Sequence, residues 1–300
     1  MLGAIFGDIV GSAYEFNNTY NYDFKLLTPR SVITDDSVMT LAVAKGLLES
    51  WGKDDEKIRE ALINSMKEYG QRYPDAGYGG RFIHWVLGDS REPINSFGNG
   101  SAMRVSAAGW LGDTLEVTLR LAKLSAEVTH NHPEGIKGAQ ATAAAMFMAR
   151  NGKTKEEIRD FIENRFGYDL NKTMEDIVSK GHGEEICQVT GPQALVCFLL
   201  SDSYIDCIRK SVSIGGDSDT IACIAGGIAE AYYGMDEEYR KVVYEKIDSY
   251  LRSVVSSFIE HCPTYYARYT KDNRNQKTDR FCGGYKVPKV PKSTEMLAEK

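Results

Sequence analysis

The sequence of 300 residues predicts an all-α fold. Apolar residues recur every three or four positions in segment after segment, which is the spacing of amphipathic helices. Helix start signals precede several of these segments, and strand-like alternation is almost absent, with weak candidates only between Tyr22 and Ile33. No linker-like stretch or fixed repeat divides the chain. We therefore predict one compact multi-helix domain at residues 1–286 and a C-terminal tail at 287–300.

Four helices follow from apolar periodicity, and their start signals agree with it. In chain order, the apolar positions are Val38, Leu41, Ala44 and Leu48; Ile58, Leu62 and Met66; Leu115, Leu119, Ala122 and Ala126; Tyr239, Val243, Ile247 and Leu251. Asp54 and Asp55 precede the second of these helices, as acidic residues often do. Thr154 and Glu157 have the spacing of a capping box, which predicts a further helix at Ile158.

Composition and charge exclude several classes of protein. A net charge of −6 argues against a nucleic-acid-binding face built on bulk electrostatics. Asp8 interrupts the first apolar stretch, so a signal peptide is not indicated. No apolar run approaches the ~18 residues that a membrane helix needs. Six cysteines form no CxxC pair, which is typical of reduced thiols. We predict a cytoplasmic, monomeric protein.

Two acidic clusters stand at predicted helix starts. One is Thr34–Ser37, with sequence TDDS, and the other is Gly215–Thr220, with sequence GGDSDT. Taken singly, each cluster is best explained as helix capping. Together they repeat one composition, a hydroxyl with two aspartates, and a helical bundle can bring them into one site. Oxygen ligands select Mg²⁺, Mn²⁺ or Ca²⁺ over zinc. Because four converging carboxylates would repel each other without cations, we predict a two-metal centre.

A further acidic pair stands in the segment Gly7–Glu15. Asp8 and Glu15 are seven positions apart, so they share one helical face if the helix is unbroken. From this segment alone, a solvated helix face is the more common explanation, because charged side chains are usually exposed.

A glycine-rich segment and two histidine motifs are candidates for ligand binding. Ser96–Arg104 could form a loop whose backbone N–H groups hold phosphates, or an ordinary turn. His130 and His132 form an HxH pair, but no third nitrogen or sulfur ligand follows at zinc-like spacing. His182 lies between two glycines, which predicts a loop position that could contact a ligand.

These motifs resemble those of the ADP-ribosylglycohydrolase family. The resemblance runs from about Gly3 to about Tyr233 and is carried by GDIVGSAYE, TDDS, FGNGSAMR, LSAEVTH and SIGGDSDTIACIAGGIAEAYYGM. It implies an orthogonal all-α bundle and hydrolysis of the bond between ADP-ribose and an acceptor. The first, third and last motifs are most similar to the branch that removes O-linked ADP-ribose, including serine-linked and polymeric forms and O-acetyl-ADP-ribose.

The resemblance also implies roles for individual residues. Two Mg²⁺ ions, with Mn²⁺ as a substitute, are implied at Thr34, Asp35, Asp36, Asp217, Asp219 and Thr220. Substrate contacts are implied at Ser96, Phe97, Gly98, Asn99, Gly100, Ser101 and His130, with His182 as a further candidate. Glu15 matches a flexible acid over the metal site. We expect catalysis from Glu15, Asp35 and Asp36, with one aspartate accepting the proton of water.

Two alternatives to an O-linked substrate stay open. The chain departs from the O-linked branch at His132–Gly135, which makes hydrolysis of N-linked ADP-ribosyl-arginine the first alternative. Ser218 stands where the family often has threonine, a change that should leave metal binding intact. The second alternative is a non-catalytic ADP-ribose-binding or structural protein, and the retention of Glu15 with all six metal positions argues against it. The expected partner is an ADP-ribosylated protein or a small ADP-ribose conjugate.

Overall fold

The fold is all-α, as the sequence predicts. A computed structural model describes residues 1–179 and 185–274, and within these ranges it has 16 helices and no β-strand. The helices are α1 (Leu2–Gly11), α2 (Asp35–Glu49), α3 (Asp55–Arg72), α4 (Gly80–Leu87), α5 (Gly100–Met103), α6 (Ser106–Leu111), α7 (Leu115–Glu127), α8 (Pro133–Arg150), α9 (Lys155–Phe166), α10 (Met174–Ser179), α11 (Cys187–Leu199), α12 (Tyr204–Ser213), α13 (Ser218–Tyr233), α14 (Glu237–Lys246), α15 (Ser249–His261) and α16 (Pro263–Arg274). The predicted tail at 287–300 lies outside the described residues.

Two buried helices, α1 and α13, pack against each other at the centre of the fold. Every residue of α1 is buried, as is all of α13 except its last two residues. Gly7 and Gly11 lie on one face of α1, one helical turn apart. A Cβ at Gly7 would overlap the backbone of Ala222, and one at Gly11 would overlap the backbone of Asp219. This close approach sets the start of α13 beside the end of α1.

We expect Gly7→Ala to lower the free energy of unfolding by about 1–3 kcal/mol, because the added methyl group meets backbone that cannot move aside. Helix propensity alone would favour alanine by about 1 kcal/mol, so the sign of the change is informative. Gly227→Ala in α13 is the control, since its Cβ would lie no closer than 3.5 Å to its neighbours. Urea denaturation measures both variants, and equal stabilities would contradict the close packing.

Helix boundaries follow the predicted caps with one exception. Asp54 caps α3, and Thr154 with Glu157 forms the predicted capping box of α9. The periodicity from Tyr239 to Leu251 predicts a single helix, which is wrong. The carboxylate of Asp248 accepts a hydrogen bond from the backbone N–H of Leu251 at 2.9 Å and starts a new helix, α15.

Three further predictions concern the strand candidates, the cysteines and membrane helices. The weak strand candidates between Tyr22 and Ile33 form irregular loop instead. Five cysteines are free and buried, in agreement with reduced thiols: Cys187, Cys197, Cys207, Cys223 and Cys262. The sixth, Cys282, lies outside the described residues. Among the helices that the structure describes, none has the length and apolarity needed to cross a membrane.

Candidate metal and substrate site

The two acidic clusters meet where the starts of α2 and α13 approach the end of α1. The hydroxyl of Thr220 donates a hydrogen bond to Oδ2 of Asp36 at 3.1 Å, which joins the clusters directly. Glu15, Asp217 and Asp219 each offer a carboxylate oxygen, and these three atoms lie within 4.8 Å of one another. Residues that are far apart in the sequence therefore share one oxygen-rich site.

Helix capping accounts for only part of these clusters. Thr34 is the N-cap of α2, and its side chain accepts a hydrogen bond from the backbone N–H of Asp36. Asp217 occupies the N-cap position of α13, yet its side chain makes no capping hydrogen bond. Its Oδ2 instead accepts from the side-chain amide of Asn99. The capping explanation therefore fits Thr34 and leaves the carboxylates of Asp35, Asp36 and Asp217 unexplained.

Burial and mutual repulsion make these carboxylates reluctant to ionise in the chain alone. Burial raises the pKa of Asp35 to about 7 and that of Asp219 to about 8, and the charge of Asp8 adds to both effects. Burial and the charge of Asp217 raise the pKa of Glu15 to about 7. Burial and then the charge of Asp219 raise the pKa of Asp36 well above its ordinary value. Such a group of acids gains stability from a bound cation.

The donor set fits a hard divalent cation. Carboxylate and hydroxyl oxygens are the ligands that Mg²⁺ and Mn²⁺ prefer. Oδ1 of Asp36 is buried and has no hydrogen-bond partner within residues 1–179 and 185–274. Because buried polar atoms are nearly always hydrogen-bonded, an unpartnered carboxylate oxygen here indicates a position for a ligand.

In the absence of divalent cations, we expect the free energy of unfolding to fall as the pH rises from about 5.5 to about 8. The folded chain holds protons on carboxyl groups with a pKa of about 7 to about 8, whereas the unfolded chain releases them near a pKa of 4. The folded state thus binds more protons in this range, and stability is lost as they dissociate.

Urea denaturation in EDTA at the two pH values measures this dependence, and Asp217→Asn should reduce it. Saturating Mg²⁺ should offset the loss at the higher pH, because the cation binds the ionised carboxylates. Equal stability at both pH values in EDTA would contradict the assignment of the raised pKa values.

Glu15 lies on the turn that follows α1. Asp8 and Glu15 would share one helical face only in an unbroken helix, and this condition is not met because α1 ends at Gly11. Asp8 is also fully buried, so the solvated-face explanation does not apply to it. Glu15 is half-buried beside Asp217, where a carboxylate can reach a bound substrate.

Asn18 ties the Glu15 turn to the second acidic cluster. Its side-chain amide donates to the carbonyls of Glu15 at 3.0 Å and Gly216 at 2.8 Å, and its Oδ1 accepts from the backbone N–H of Gly216 at 3.0 Å. Gly215 and Gly216 have φ angles of 75° and 77°, which favour glycine. The bonds of Asn18 to both turns therefore hold Asp217 beside Glu15.

The glycine-rich segment at residues 96–101 lies next to the acidic site. Asn99 joins the two, because its side-chain amide contacts both Asp217 and the hydroxyl of Thr190, the latter at 3.1 Å. Ser101 is buried and donates to the carbonyl of Gly135 at 2.7 Å. The side chains of Asn99 and Ser101 therefore bond within the protein, and Phe97, which is 40% exposed, is the aromatic group open to a ligand.

Two backbone N–H groups of this loop already have protein partners. The N–H of Gly98 donates to Oγ of Ser96 at 3.1 Å, and that of Asn99 donates to the carbonyl of Glu185 at 3.1 Å. At these two positions the bonds favour the ordinary turn over a phosphate loop, in which successive N–H groups would face a ligand.

The two histidines of the HxH motif have separate local roles. His130 is buried, and its Nδ1 lies 2.8 Å from the hydroxyl of Thr129. Burial, followed by the charge of Arg104, holds the pKa of His130 well below its ordinary value, so its imidazole is neutral. His132 caps α8, and its ring packs on Phe97 with 5.1 Å between ring centroids. His182 lies outside the described residues.

Sequence reasoning missed two residues that shape the site, Asn18 and Glu185. Asn18 gave no signal, because polar loop residues are common. Asn99 was predicted as a substrate contact, but its bond to Asp217 was not. The charge of Glu185, an exposed residue beside the glycine-rich loop, contributes to the raised pKa of Glu15 and Asp217. The sequence gives only a weak indication of Glu185 as a site residue, because it is one acid in a polar stretch.

Comparison with known proteins identifies the family. The family model described as ADP-ribosylglycohydrolase matches residues 1–266. The chain belongs to the ADP-ribosylglycohydrolase family. The resemblance that the motifs indicate is confirmed, and the protein is a hydrolase that acts on ADP-ribose linkages.

Individual members of the ADP-ribosylglycohydrolase family support this assignment. The chain is 28% identical to the mouse ADP-ribosylhydrolase ARH3, over 79% of this chain and 83% of that protein. It is 25% identical to the ADP-ribosyl-[dinitrogen reductase] glycohydrolase of Rhodospirillum rubrum, over 79% and 85%. A solved structure titled ADP-ribosylglycohydrolase-related protein complex shares the fold, with a TM-score of 0.55, 22% identity and coverage of 82% and 94%.

Proposed function

We propose that this enzyme is a divalent-cation-dependent hydrolase that releases ADP-ribose from an O-linked acceptor. The observation that carries the proposal is the meeting of two acidic clusters and Glu15 in one oxygen-rich site. The O-linked choice rests on the motifs and on the similarity to proteins named ARH3. The acceptor is a serine side chain, another ADP-ribose unit or a small conjugate.

Two Mg²⁺ ions would be held by Thr34, Asp35, Asp36, Asp217, Asp219 and Thr220. When bound, they would polarise the ribose hydroxyls and lower the pKa of water, which supplies a nucleophile near neutral pH. Asp36 is 2% exposed and bonded to Thr220, so it is placed to hold a cation. Asp35 is half-buried, so it is the better placed of the two to accept a proton from water.

Glu15 would contact the substrate from the turn that follows α1. Its turn is fixed by Asn18, and its carboxylate lies beside those of Asp217 and Asp219. A carboxylate in this position can stabilise the positive charge that develops on the ribose during bond cleavage. Phe97 offers a flat apolar face for the adenine ring.

A substrate panel tests the linkage. Initial rates of ADP-ribose release with Mg²⁺ should be compared for a serine-linked peptide, O-acetyl-ADP-ribose and an arginine-linked peptide. We expect the two O-linked substrates to react faster. A faster arginine-linked substrate would favour the N-linked alternative, for which the exposed acid Glu185 beside the glycine-rich loop would offer a partner to the guanidinium group. Metal binding without turnover of any substrate would favour a non-catalytic role.

A further inference from the structure

We propose that Asp8 is a positioning residue of the metal centre, which fixes the hydroxyl group of Thr34 so that its oxygen can serve as a ligand. This inference rests on the proposed metal dependence. Asp8 lies in the middle of α1, has no exposed surface and is not one of the six proposed ligands.

The carboxylate of Asp8 accepts four hydrogen bonds from Thr34 and Ser37 at the start of α2. Its Oδ2 accepts from the backbone N–H groups of Thr34 at 2.9 Å and Ser37 at 3.1 Å, and from the hydroxyl of Ser37. Its Oδ1 accepts from the hydroxyl of Thr34 at 2.8 Å. One carboxylate from α1 therefore holds the segment that carries the first acidic cluster, and it satisfies N–H groups that have no partner within α2.

The bond to Oδ1 determines where the Thr34 hydrogen points. A hydroxyl group has one hydrogen and two lone pairs. In Thr34 the hydrogen is directed at Asp8, and Oγ1 also accepts from the backbone N–H of Asp36 at 3.3 Å. A hydroxyl group binds a cation through a lone pair of its oxygen. Because the Thr34 hydrogen is held by Asp8, it does not point toward the cation, and a lone pair stays available.

The second cluster has the same arrangement. The hydroxyl of Thr220 donates its hydrogen to Oδ2 of Asp36, which again leaves the threonine oxygen free to accept. Both proposed threonine ligands thus have their hydrogen committed to an aspartate. Helix capping requires only the two backbone N–H bonds to Oδ2 of Asp8. The bond to Oδ1 is the one that acts on the hydroxyl group of the proposed ligand Thr34.

The Asp8→Asn variant reverses the direction of the hydrogen bond between the Thr34 hydroxyl and residue 8. Three donors face Oδ2, so the amide oxygen must take that place and the NH₂ group must face Thr34 as a donor. The Thr34 hydrogen then turns away from residue 8. We expect the affinity for Mn²⁺ alone, measured by titration calorimetry, to fall about 10–100-fold, as for other residues that orient a metal ligand.

The control is Asp54→Asn, the same change at the N-cap of α3, just beyond the other end of α2. It should bind Mn²⁺ as the wild type does. Thermal melting of the metal-free variants verifies that each is folded. Wild-type affinity in Asp8→Asn would overturn the inference and leave the proposed function standing. A wild-type protein that binds no Mn²⁺ would overturn the metal centre itself and the inference with it.

A double-mutant cycle separates hydroxyl orientation from the charge of Asp8. Thr34→Val removes the hydroxyl, so Asp8→Asn should have little further effect on Mn²⁺ affinity in that background. Equal effects in both backgrounds would show that Asp8 acts by charge alone and would overturn the inference.

Thr34→Ser tests the same point if Asp8→Asn does not fold. Serine keeps a hydroxyl that Asp8 can hold, so its affinity should stay close to that of the wild type. A loss as large as that of Thr34→Val would contradict the role of Asp8.

Discussion

Asp35→Ala and Asp217→Ala are each expected to reduce ADP-ribose release by about 10³-fold or more, because bound cations supply several kcal/mol of transition-state stabilisation. The two residues belong to different clusters, one at the start of α2 and one at the start of α13. Comparable losses are expected because both clusters are proposed to hold one metal centre. Initial rates with Mg²⁺ and calorimetric titration with Mn²⁺ measure the two effects.

Asp160→Ala is a suitable control for these variants, since Asp160 is an exposed residue of α9. It should leave both the rate and the metal affinity unchanged. Full activity in either Asp35→Ala or Asp217→Ala would mean that the two clusters do not act as one centre.

Glu15→Ala is expected to fold and bind ADP-ribose, yet to lose about 10²–10⁴-fold in kcat. Glu15 is proposed to stabilise the transition state. An interaction that is made mainly in the transition state lowers kcat without an equal loss of ligand affinity. Calorimetric affinity for ADP-ribose, measured beside initial rates on a serine-linked peptide, separates the two quantities.

The competing explanation is that Glu15 only solvates the turn after α1. Substitution would then cost a few tenths of a kcal/mol in stability and leave the rate unchanged, as surface changes usually do. Glu60→Ala, at an exposed glutamate of α3, is the matched control. An unaltered rate in Glu15→Ala would remove this residue from the mechanism.

The fold was largely predictable because helical periodicity and capping are local. Thr154 and Glu157 mark the start of α9 within four residues of sequence. The errors arose where a local cap or break interrupts a periodic pattern. Asp248 divides the predicted helix into α14 and α15, and the chain leaves α1 at Gly11 before it reaches Glu15.

The site was predictable in composition but not in geometry. The repeated pattern of a hydroxyl with two aspartates indicates the residues, whereas their meeting depends on how closely α1 packs on α13. The positioning residues depend on contacts that no local pattern encodes. Asp8 contacts a residue 26 positions away, and Asn18 contacts one 198 positions away.

The resemblance implies substrate contacts for two residues whose side chains form hydrogen bonds within the protein. Asn99 and Ser101 match substrate-binding positions, yet their side chains bond to Asp217 and Gly135. A family motif fixes which residues surround a ligand, but not which of them contact it through side chains. Which side chains contact a ligand depends on how the loop at residues 96–101 packs against α8 and α11.

We propose that this enzyme releases ADP-ribose through a cation-dependent site. The most direct measurement is the amount of free ADP-ribose released from a serine-linked peptide with Mg²⁺, with EDTA, and after Mg²⁺ is restored. We predict release with Mg²⁺, none with EDTA, and recovery on restoration. Equal release in EDTA and in Mg²⁺ would contradict the proposed cation dependence.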